Sequence, residues 1–527
     1  MADLKMISLT IEGRPVQVPE GLSILEAAKT AGVLIPHYCY HPGLPVAGVC
    51  RMCLVEVEKA PKLAPACATT VMEGQVVHVH SPKALEARKG VLEFLLINHP
   101  LDCPICDQAG ECELQDYTFA EGRADSRYRE PKRFNPVEDF GGDVLYVPNR
   151  CILCTRCVRF MSDVAHEPVL NVSERGDRAF IGKAEGHDLT NPWAGNVVDL
   201  CPVGALLSKD FLNKARAWEL DRAATICTGC SQGCNAVAET RDNVLVRLKP
   251  RPNDAVNHYY MCDAGRLSYR ELGRRDRSDQ PLVRMGSALQ YTEWSAAIDA
   301  AAGVMRGRRV VMLVSANLSN ESLFLLSQLP PYDATATVLR VPVGEEVPLP
   351  GVHDLALRAE RAANATAARL FGFRDDTTLA DTLQQGDVLL VADDDCEDLD
   401  PAVLARAGSV LYLGTALPTA LKAKVSVVLP TTTVVEEEGT LTNLRGYVQR
   451  FLQAKTAPGV ARPTWYVLAD LVAATGGDGA FYLPSEVFAR LAATHPAFAG
   501  LTYEGLGLRG QPLSSPALVP AETGANT

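Results

Sequence analysis

Hydrophobic and polar positions alternate along the first residues in a way that predicts a small mixed domain. Lys5 to Ile11 reads as a strand, Glu12-Gly13-Arg14 as a turn and Arg14 to Val18 as its partner. After the Pro19-Glu20-Gly21 turn, Ser23 and Glu26 form a capping box that opens a helix through Ala31, with Gly32 as its stop. Ser81 and Pro82 open a second helix, whose apolar members are Leu85, Val91, Leu92, Leu95 and Leu96. From Leu101 to Pro148 the text is polar and loop-like, so its compactness requires something other than apolar burial. Beyond Cys262 short apolar runs at Val310–Val314, Asp387–Ala392, Val410–Leu413 and Val425–Leu429 alternate with helical stretches at Glu293–Met305 and Asn320–Leu329. That alternation predicts an open, mostly parallel sheet. Glu436-Glu437-Glu438-Gly439 begins a stretch with no readable period, and the Pro- and Gly-rich tail from Gly510 is expected to be poorly ordered.

Composition adds one decisive fact. The 527 residues are 47% hydrophobic, and 51 Lys and Arg face 63 Asp and Glu for a net charge of −12, which steers toward neither nucleic acid nor anionic lipid. Of 16 cysteines all but Cys396 precede residue 263. The opening MADLKMISLT has no basic segment followed by a long apolar one, so no export is expected and disulfides are disfavoured. No apolar run reaches bilayer-spanning length.

The cysteines fall into four groups. Cys39, Cys50, Cys53 and Cys67 are spaced C-x10-C-x2-C-x13-C among small residues, which suits the four thiolates of a [2Fe–2S] centre better than the two short pairs usual for zinc. Cys103, Cys106 and Cys112 supply three thiolates, and His99 is the neighbour able to be a fourth ligand; the alternative is a histidine that caps helix-end carbonyls. Cys151, Cys154 and Cys157 open like a bacterial ferredoxin run, which the distant Cys201-Pro202 closes. Arg150, Arg156 and Arg159 flank that run, either as a solvated basic face or as groups that tune the centre or dock a partner. Cys227, Cys230, Cys234 and Cys262 form the fourth group, for which zinc is a rival when it is taken alone. Fifteen cysteines and one histidine make 16 ligands for four centres, and Cys396 is left over.

The segments CYHPGLPVAGVCRMCLVEVE, NHPLDCPICDQAGECELQD, VPNRCILCTRCVRF and VVDLCPVGAL resemble the family of iron–sulfur G subunits (75 kDa subunits) of respiratory complex I, NADH:quinone oxidoreductase. VSVVLPTTTVVEEEGTLTNLRGYVQRF is similar to the family's molybdopterin-oxidoreductase-like region. The resemblance implies a multidomain α+β and α/β chain. A plant-type ferredoxin-like [2Fe–2S] domain would occupy residues 1–80, with [4Fe–4S] modules over 81–142, 143–218 and 219–275. A shortened molybdopterin-oxidoreductase-like parallel-sheet domain without cofactor would fill 276–527. It implies one [2Fe–2S] cluster on Cys39, Cys50, Cys53 and Cys67. It implies three [4Fe–4S] clusters, on His99, Cys103, Cys106 and Cys112, on Cys151, Cys154, Cys157 and Cys201, and on Cys227, Cys230, Cys234 and Cys262, the last off the main electron route. No flavin, NAD or molybdopterin is expected on this chain, and no complete catalytic site. The implied partners are a NADH-oxidising flavoprotein subunit, other peripheral-arm subunits and hydrophobic membrane-arm subunits, with no nucleic acid. The implied location is the cytoplasmic side of a bacterial inner membrane, held through those partners. The alternative is the iron–sulfur subunit of a soluble NAD-linked hydrogenase or formate dehydrogenase complex.

Overall fold

The computed structural model describes residues 5–330 and 332–514. The chain divides into two compact units, one holding the described residues through Leu220 plus Leu349–His353, the other Asp221–Pro348 and the described residues from Asp354 onward.

In the first unit the opening pattern folds as its periodicity dictates. Strands Met6–Ile11 and Arg14–Pro19 pair antiparallel, with Ile7 opposite Val18 and Leu9 opposite Val16, so Ile7, Leu9, Ile11, Val16 and Val18 all face the core. Both halves of the Ser23–Glu26 capping box form ahead of helix Ile24–Thr30, and Gly32 follows with φ +67°. The sheet continues through Val76–His78, Leu54–Val57 and Ala64–Pro65. This sheet carries the first cysteine group on its connections.

The second predicted helix, Pro82–Leu96, forms but buries a different face. Ala84, Arg88 and Leu92 are its buried positions, while Leu85, Val91, Leu95 and Leu96 stay half-exposed. The reason is an ion pair that hydropathy does not register. The fully buried Arg88 grips Glu121 with Nη1 at 2.7 and 2.8 Å and also donates to Val79 O, pulling its own face inward. The stretch from Leu101 to Pro148 is also less irregular than expected. It contains helix Glu113–Glu121 and strands Glu138–Gly141 and Val144–Tyr146, the latter paired with Leu206–Ser208.

In the second unit, Val310–Ser315, Thr337–Arg340, Val388–Ala392, Ser409–Gly414 and Val425–Pro430 form the parallel part of a seven-stranded sheet. An antiparallel hairpin, Leu282–Met285 with Ala288–Tyr291, joins it beside Val425–Pro430. In chain order the five parallel strands stand 2-1-3-4-5, a doubly wound arrangement whose order reverses between Val310–Ser315 and Val388–Ala392. Continuous apolar strands require cover on both faces, and both are covered. Val310, Met312, Leu390 and Leu411 pack in one core with helices Trp294–Met305, Asn320–Gln328 and Thr464–Ala474. Val311, Leu313, Leu389 and Val410 pack in another with Leu379, Val403 and Leu421. The stretch after Glu436, which has no period in the sequence, becomes strands Gly439–Thr442 and Tyr447–Phe451, joined by Gln511–Pro512. So the tail from Gly510 is ordered through Ser514, and the rest of that expectation lies outside the described residues.

Candidate electron-transfer centres

All 16 cysteines carry free thiols. In the first group, Cys53 leads into strand Leu54–Val57 and Cys67 follows its partner Ala64–Pro65, so the hairpin sets their Sγ atoms 3.4 Å apart. Gly48 and Arg51 take left-handed φ of +65° and +59°, which winds the intervening loop so that the Cys39 N–H reaches Cys50 Sγ at 3.4 Å. Hydrogen bonds from Cys50 and Cys67 drive Cys39 and Cys53 respectively toward thiolate, while the donors' pKa values are raised.

In the second group, Cys103 and Cys106 sit on a single 3-10 turn and Cys112 caps helix Glu113–Glu121. Gly110 has φ +86°, and a Cβ there would stand 2.8 Å from the Trp218 ring. Arg216 braces the same loop from the carbonyls of Cys106, at 2.7 Å, and Pro104. His99 does not cap the preceding helix, because Lys132 Nζ takes the end carbonyls of Leu96 and Ile97 at 2.8 and 2.9 Å. Its buried Nδ1 has no hydrogen-bond partner among the described residues. Burial first, then the charges of Arg150 and Lys132, push its pKa down to about 4, so the imidazole is neutral and has a lone pair to offer.

The third group is the most enclosed. Leu153 and Thr155 take φ of +53° and +60°, so the thiols of Cys151, Cys154 and Cys157 turn toward one space. Cys201, at the end of helix Asn196–Leu200, completes it. All four cysteines line one cavity, whose other walls include Tyr146, Ile152, Ile181, Val203 and Leu206. Burial raises the Cys151 pKa to about 11 and pushes Cys154, Cys157 and Cys201 up as well. Four thiols in an apolar cavity stay protonated by themselves and become thiolates when a cation replaces the protons.

The fourth group lies in the second unit. Cys227 ends strand Asp221–Ile226, and its N–H bonds the Cys234 carbonyl at 2.8 Å to close the loop that carries Cys230. Cys262 caps helix Asp263–Leu267 and receives the Gly265 N–H at 3.3 Å. A Cβ at Gly265 would stand 3.0 Å from Cys227 Sγ, so only glycine leaves that room. Burial, then the neighbouring thiolates, push Cys227 and Cys234 up and Cys262 to about 12.

Among the described residues no three His, Cys, Asp or Glu side chains converge tightly enough to hold a single metal ion. The third set instead rims a cavity, and glycines keep bulk away from the second and fourth sets. Sets of thiols with amide N–H groups close by offer the soft donors that iron–sulfur clusters take.

The arginines that flank the third group are not a solvated face. Arg150 is buried and donates to Asp102 Oδ2 through Nε and Nη2 at 3.0 and 2.9 Å. Arg156 is buried among the ligand loops, and Arg159 donates to the carbonyls of Cys39, Pro45 and Cys154. The sequence places these arginines beside the cysteines but carries no signal for their distant partners, which lie more than 40 residues away; only Cys154 and Thr155, both bonded by Arg159, are near in the chain.

Cys396 takes no part in any set; it is buried in the second apolar core of the parallel sheet, with Sγ 3.8 Å from the Asp394 carbonyl. At the carboxyl ends of the parallel strands lies a crevice of about 560 Å³ lined by Glu271, Asp393, Asp394, Glu397, Asp398 and Glu437. Its arginines are engaged, Arg274 with Asp276 and Arg340 with Asp394 and Asp398. A crevice this acidic does not fit a phosphate-bearing pterin, and Cys396 is not among its lining residues.

One carboxyl of that crevice gives a pH prediction. Burial raises Glu437 to about 8, and behind it Glu321 to about 7. Unfolded, both titrate near ~4.3. The folded state therefore holds protons that the unfolded chain has released; this stability is full below ~pH 4.3 and is lost as pH rises through 7 to 8. Glu437→Gln, which mimics the protonated form, is expected to raise stability at pH 9 by on the order of 2 kcal/mol and to change it little at pH 5. Urea midpoints by circular dichroism check this, and an equal shift at both pH values would contradict it.

Five family models match successive stretches of the chain. They are the 2Fe-2S iron-sulfur cluster binding domain over residues 4–82, the NADH-ubiquinone oxidoreductase-G iron-sulfur binding region over 88–127, the NADH-quinone oxidoreductase subunit 3 ferredoxin-like domain over 141–207, the molybdopterin oxidoreductase Fe4S4 domain over 221–272 and molybdopterin oxidoreductase over 410–474. Each of the first four encloses one of the four ligand sets and no other. The G subunit of NADH-quinone oxidoreductase from Rickettsia conorii is 40% identical over 327 residues, 62% of this chain and 49% of that protein. Over those aligned residues the chain is similar to the G subunits of NADH-quinone oxidoreductase. The G subunit of Rickettsia bellii is 40% identical over 61% of this chain and 47% of its own. The mitochondrial NADH-ubiquinone oxidoreductase 78 kDa subunit of Candida albicans is 44% identical over 56% and 41%. The chain spans about half the length of the two Rickettsia relatives. A chain from the crystal structure of NAD+-reducing [NiFe]-hydrogenase in the H2-reduced state is similar over 40% of this chain and 90% of its own, at 28% identity and a TM-score of 0.35, a score at which the likeness decides nothing.

Proposed function

We propose that this chain is an electron-relay subunit of an NADH:quinone oxidoreductase, passing electrons from a flavin-bearing partner toward quinone. Cys39, Cys50, Cys53 and Cys67 would hold a [2Fe–2S] cluster. His99 with Cys103, Cys106 and Cys112, Cys151 with Cys154, Cys157 and Cys201, and Cys227 with Cys230, Cys234 and Cys262 would each hold a [4Fe–4S] cluster. The division into five parts, at residues 80, 142, 218 and 275, follows the same assignment. When bound, the clusters supply one-electron carriers; the protein supplies ligands, buried cages and nearby amide donors that set their potentials.

The observation that carries this reading is the segregation of 15 cysteines and His99 into four separate four-donor sets, each on its own loops. A chain of carriers needs no substrate pocket, only spaced and shielded centres. Partner subunits are part of the reading. Cys103 is an exposed thiol, and Leu101 and Ile105 beside it are 89% and 69% exposed, a rim that a neighbouring subunit would cover. No helix of the described residues is long and apolar enough to cross a membrane. Attachment to the cytoplasmic face of a bacterial inner membrane would therefore run through hydrophobic partner subunits.

Iron and acid-labile sulfide analysis of anaerobically purified protein tests the reading. About 14 iron per chain are expected, from one two-iron and three four-iron centres. Cys396→Ser should leave both the iron content and the low-temperature EPR spectrum unchanged. Stoichiometric zinc without sulfide would overturn the proposal. Co-purification of a flavoprotein and membrane subunits would support the respiratory assignment, and their replacement by hydrogenase or formate dehydrogenase subunits would overturn it.

A further inference from the structure

Arg156 lies inside the third ligand run, between Cys154 and Cys157, and its side chain is only 5% exposed. Its Nη2 donates to the Tyr40 carbonyl at 2.9 Å, one residue after Cys39 of the first set. Its Nη1 donates to the Leu200 carbonyl at 3.2 Å, one residue before Cys201 of the third. Both Nη atoms also reach the Glu113 carboxylate, at 3.1 and 3.3 Å, one residue after Cys112 of the second. One planar fork thus bonds residues adjacent to ligands of three separate sets. Arg150 and Arg159 do less, the first being engaged with Asp102 and the second bonding residues of two sets.

The remaining donor of Arg156, its Nε–H, is buried and has no acceptor among the described residues. A guanidinium cannot shed that proton, so the Nε–H remains available to an acceptor outside the polypeptide. Its charge faces Cys154 and Cys201, two of the four thiols that line the third cavity.

We propose that Arg156 is a positioning residue shared by the first three centres, its Nη atoms fixing their ligand loops in register while its Nε–H donates to a sulfur of the third. This rests on the electron-relay reading above. Reduction adds one electron and no atom to a centre, and a fixed positive charge with an N–H donor favours the more negative reduced form. Arg156 therefore holds the third centre's potential up. A lysine keeps the charge but has neither the fork nor an Nε–H directed from the same place.

The test uses the full chain in its purified complex, with iron and sulfide measured first and potentials read by EPR redox titration. Arg156→Lys is expected to retain all the iron while the third centre's midpoint moves to a more negative value, and Arg156→Gln to move it further. Retention of iron with every midpoint unchanged would overturn the assignment. Should both variants lose iron, the wild type still decides. With arginine labelled by 15N at Nε, the reduced third centre should show a 15N coupling in pulsed EPR, and its absence would overturn the assignment. Wild-type protein free of iron and sulfide would instead overturn the electron-relay reading itself, and this assignment with it.

Discussion

Cys201→Ala is expected, on the electron-relay reading proposed above, to remove the third centre alone, lowering the iron content by about four per chain and taking NADH-to-quinone flow in the assembled complex to near background. Cys201 shares its cavity with Cys151, Cys154 and Cys157, and no other sulfur is among the lining residues to replace it. Its backbone N–H is tied to Val197 and Val198, and the carbonyl before it to Arg156, so the loop should keep its course when only the sulfur is lost. EPR of the reduced variant should retain the first-group signal and lack one four-iron signal. Full iron content with normal flow would show that the fourth ligand has been misassigned.

The second large effect comes from a residue that is not a ligand. A Cβ at Gly204 would collide with Cys106 Sγ and stand 3.1 Å from Gln108 Cβ. Gly204 belongs to the Cys201-Pro202-Val203-Gly204 loop that closes the third set, yet its absent side chain makes room for the second. Gly204→Ala is expected to cost ~1–3 kcal/mol through overpacking and to displace Cys106, so that the second centre is lost or loosely held. Iron should fall by about four and the first-group signal should persist. Gly90→Ala is the matched control. That position lies within helix Pro82–Leu96 with open space around it, and alanine there should stabilise by ~0.5–1 kcal/mol. Equal iron content in the two variants would sink the steric argument.

The readable parts of the sequence were those where one force acts alone. Val310–Ser315 and Val388–Ala392 are buried on both faces, and nothing but hydrophobicity is needed to find them. The third cysteine group was legible as a group because soft donors at short spacing have few other uses, and its four thiols line one cavity. Legibility failed where charge was buried. Helix Glu113–Glu121 has Leu114 as its single buried residue, so no apolar stripe announces it. It is held by Cys112 at its start, by Arg156 on Glu113 and by Arg88 on Glu121. Glu436, which begins the stretch without a period, is buried because Arg277 and Lys455 both reach it. Such pairs join residues far apart in the chain, and no local pattern records them.

The third set also has a bearing on how the molecule matures. Its last thiol comes after 43 intervening residues, on the far side of the hairpin Leu170–Ser173 with Phe180–Lys183. A nascent chain leaving the ribosome carries every member of the first two sets once residue 112 has emerged, but the third set stays incomplete until residue 201 has emerged and folded back. On the proposed assignment the third cage is therefore the later to close, and Cys151, Cys154 and Cys157 wait without their fourth partner until then.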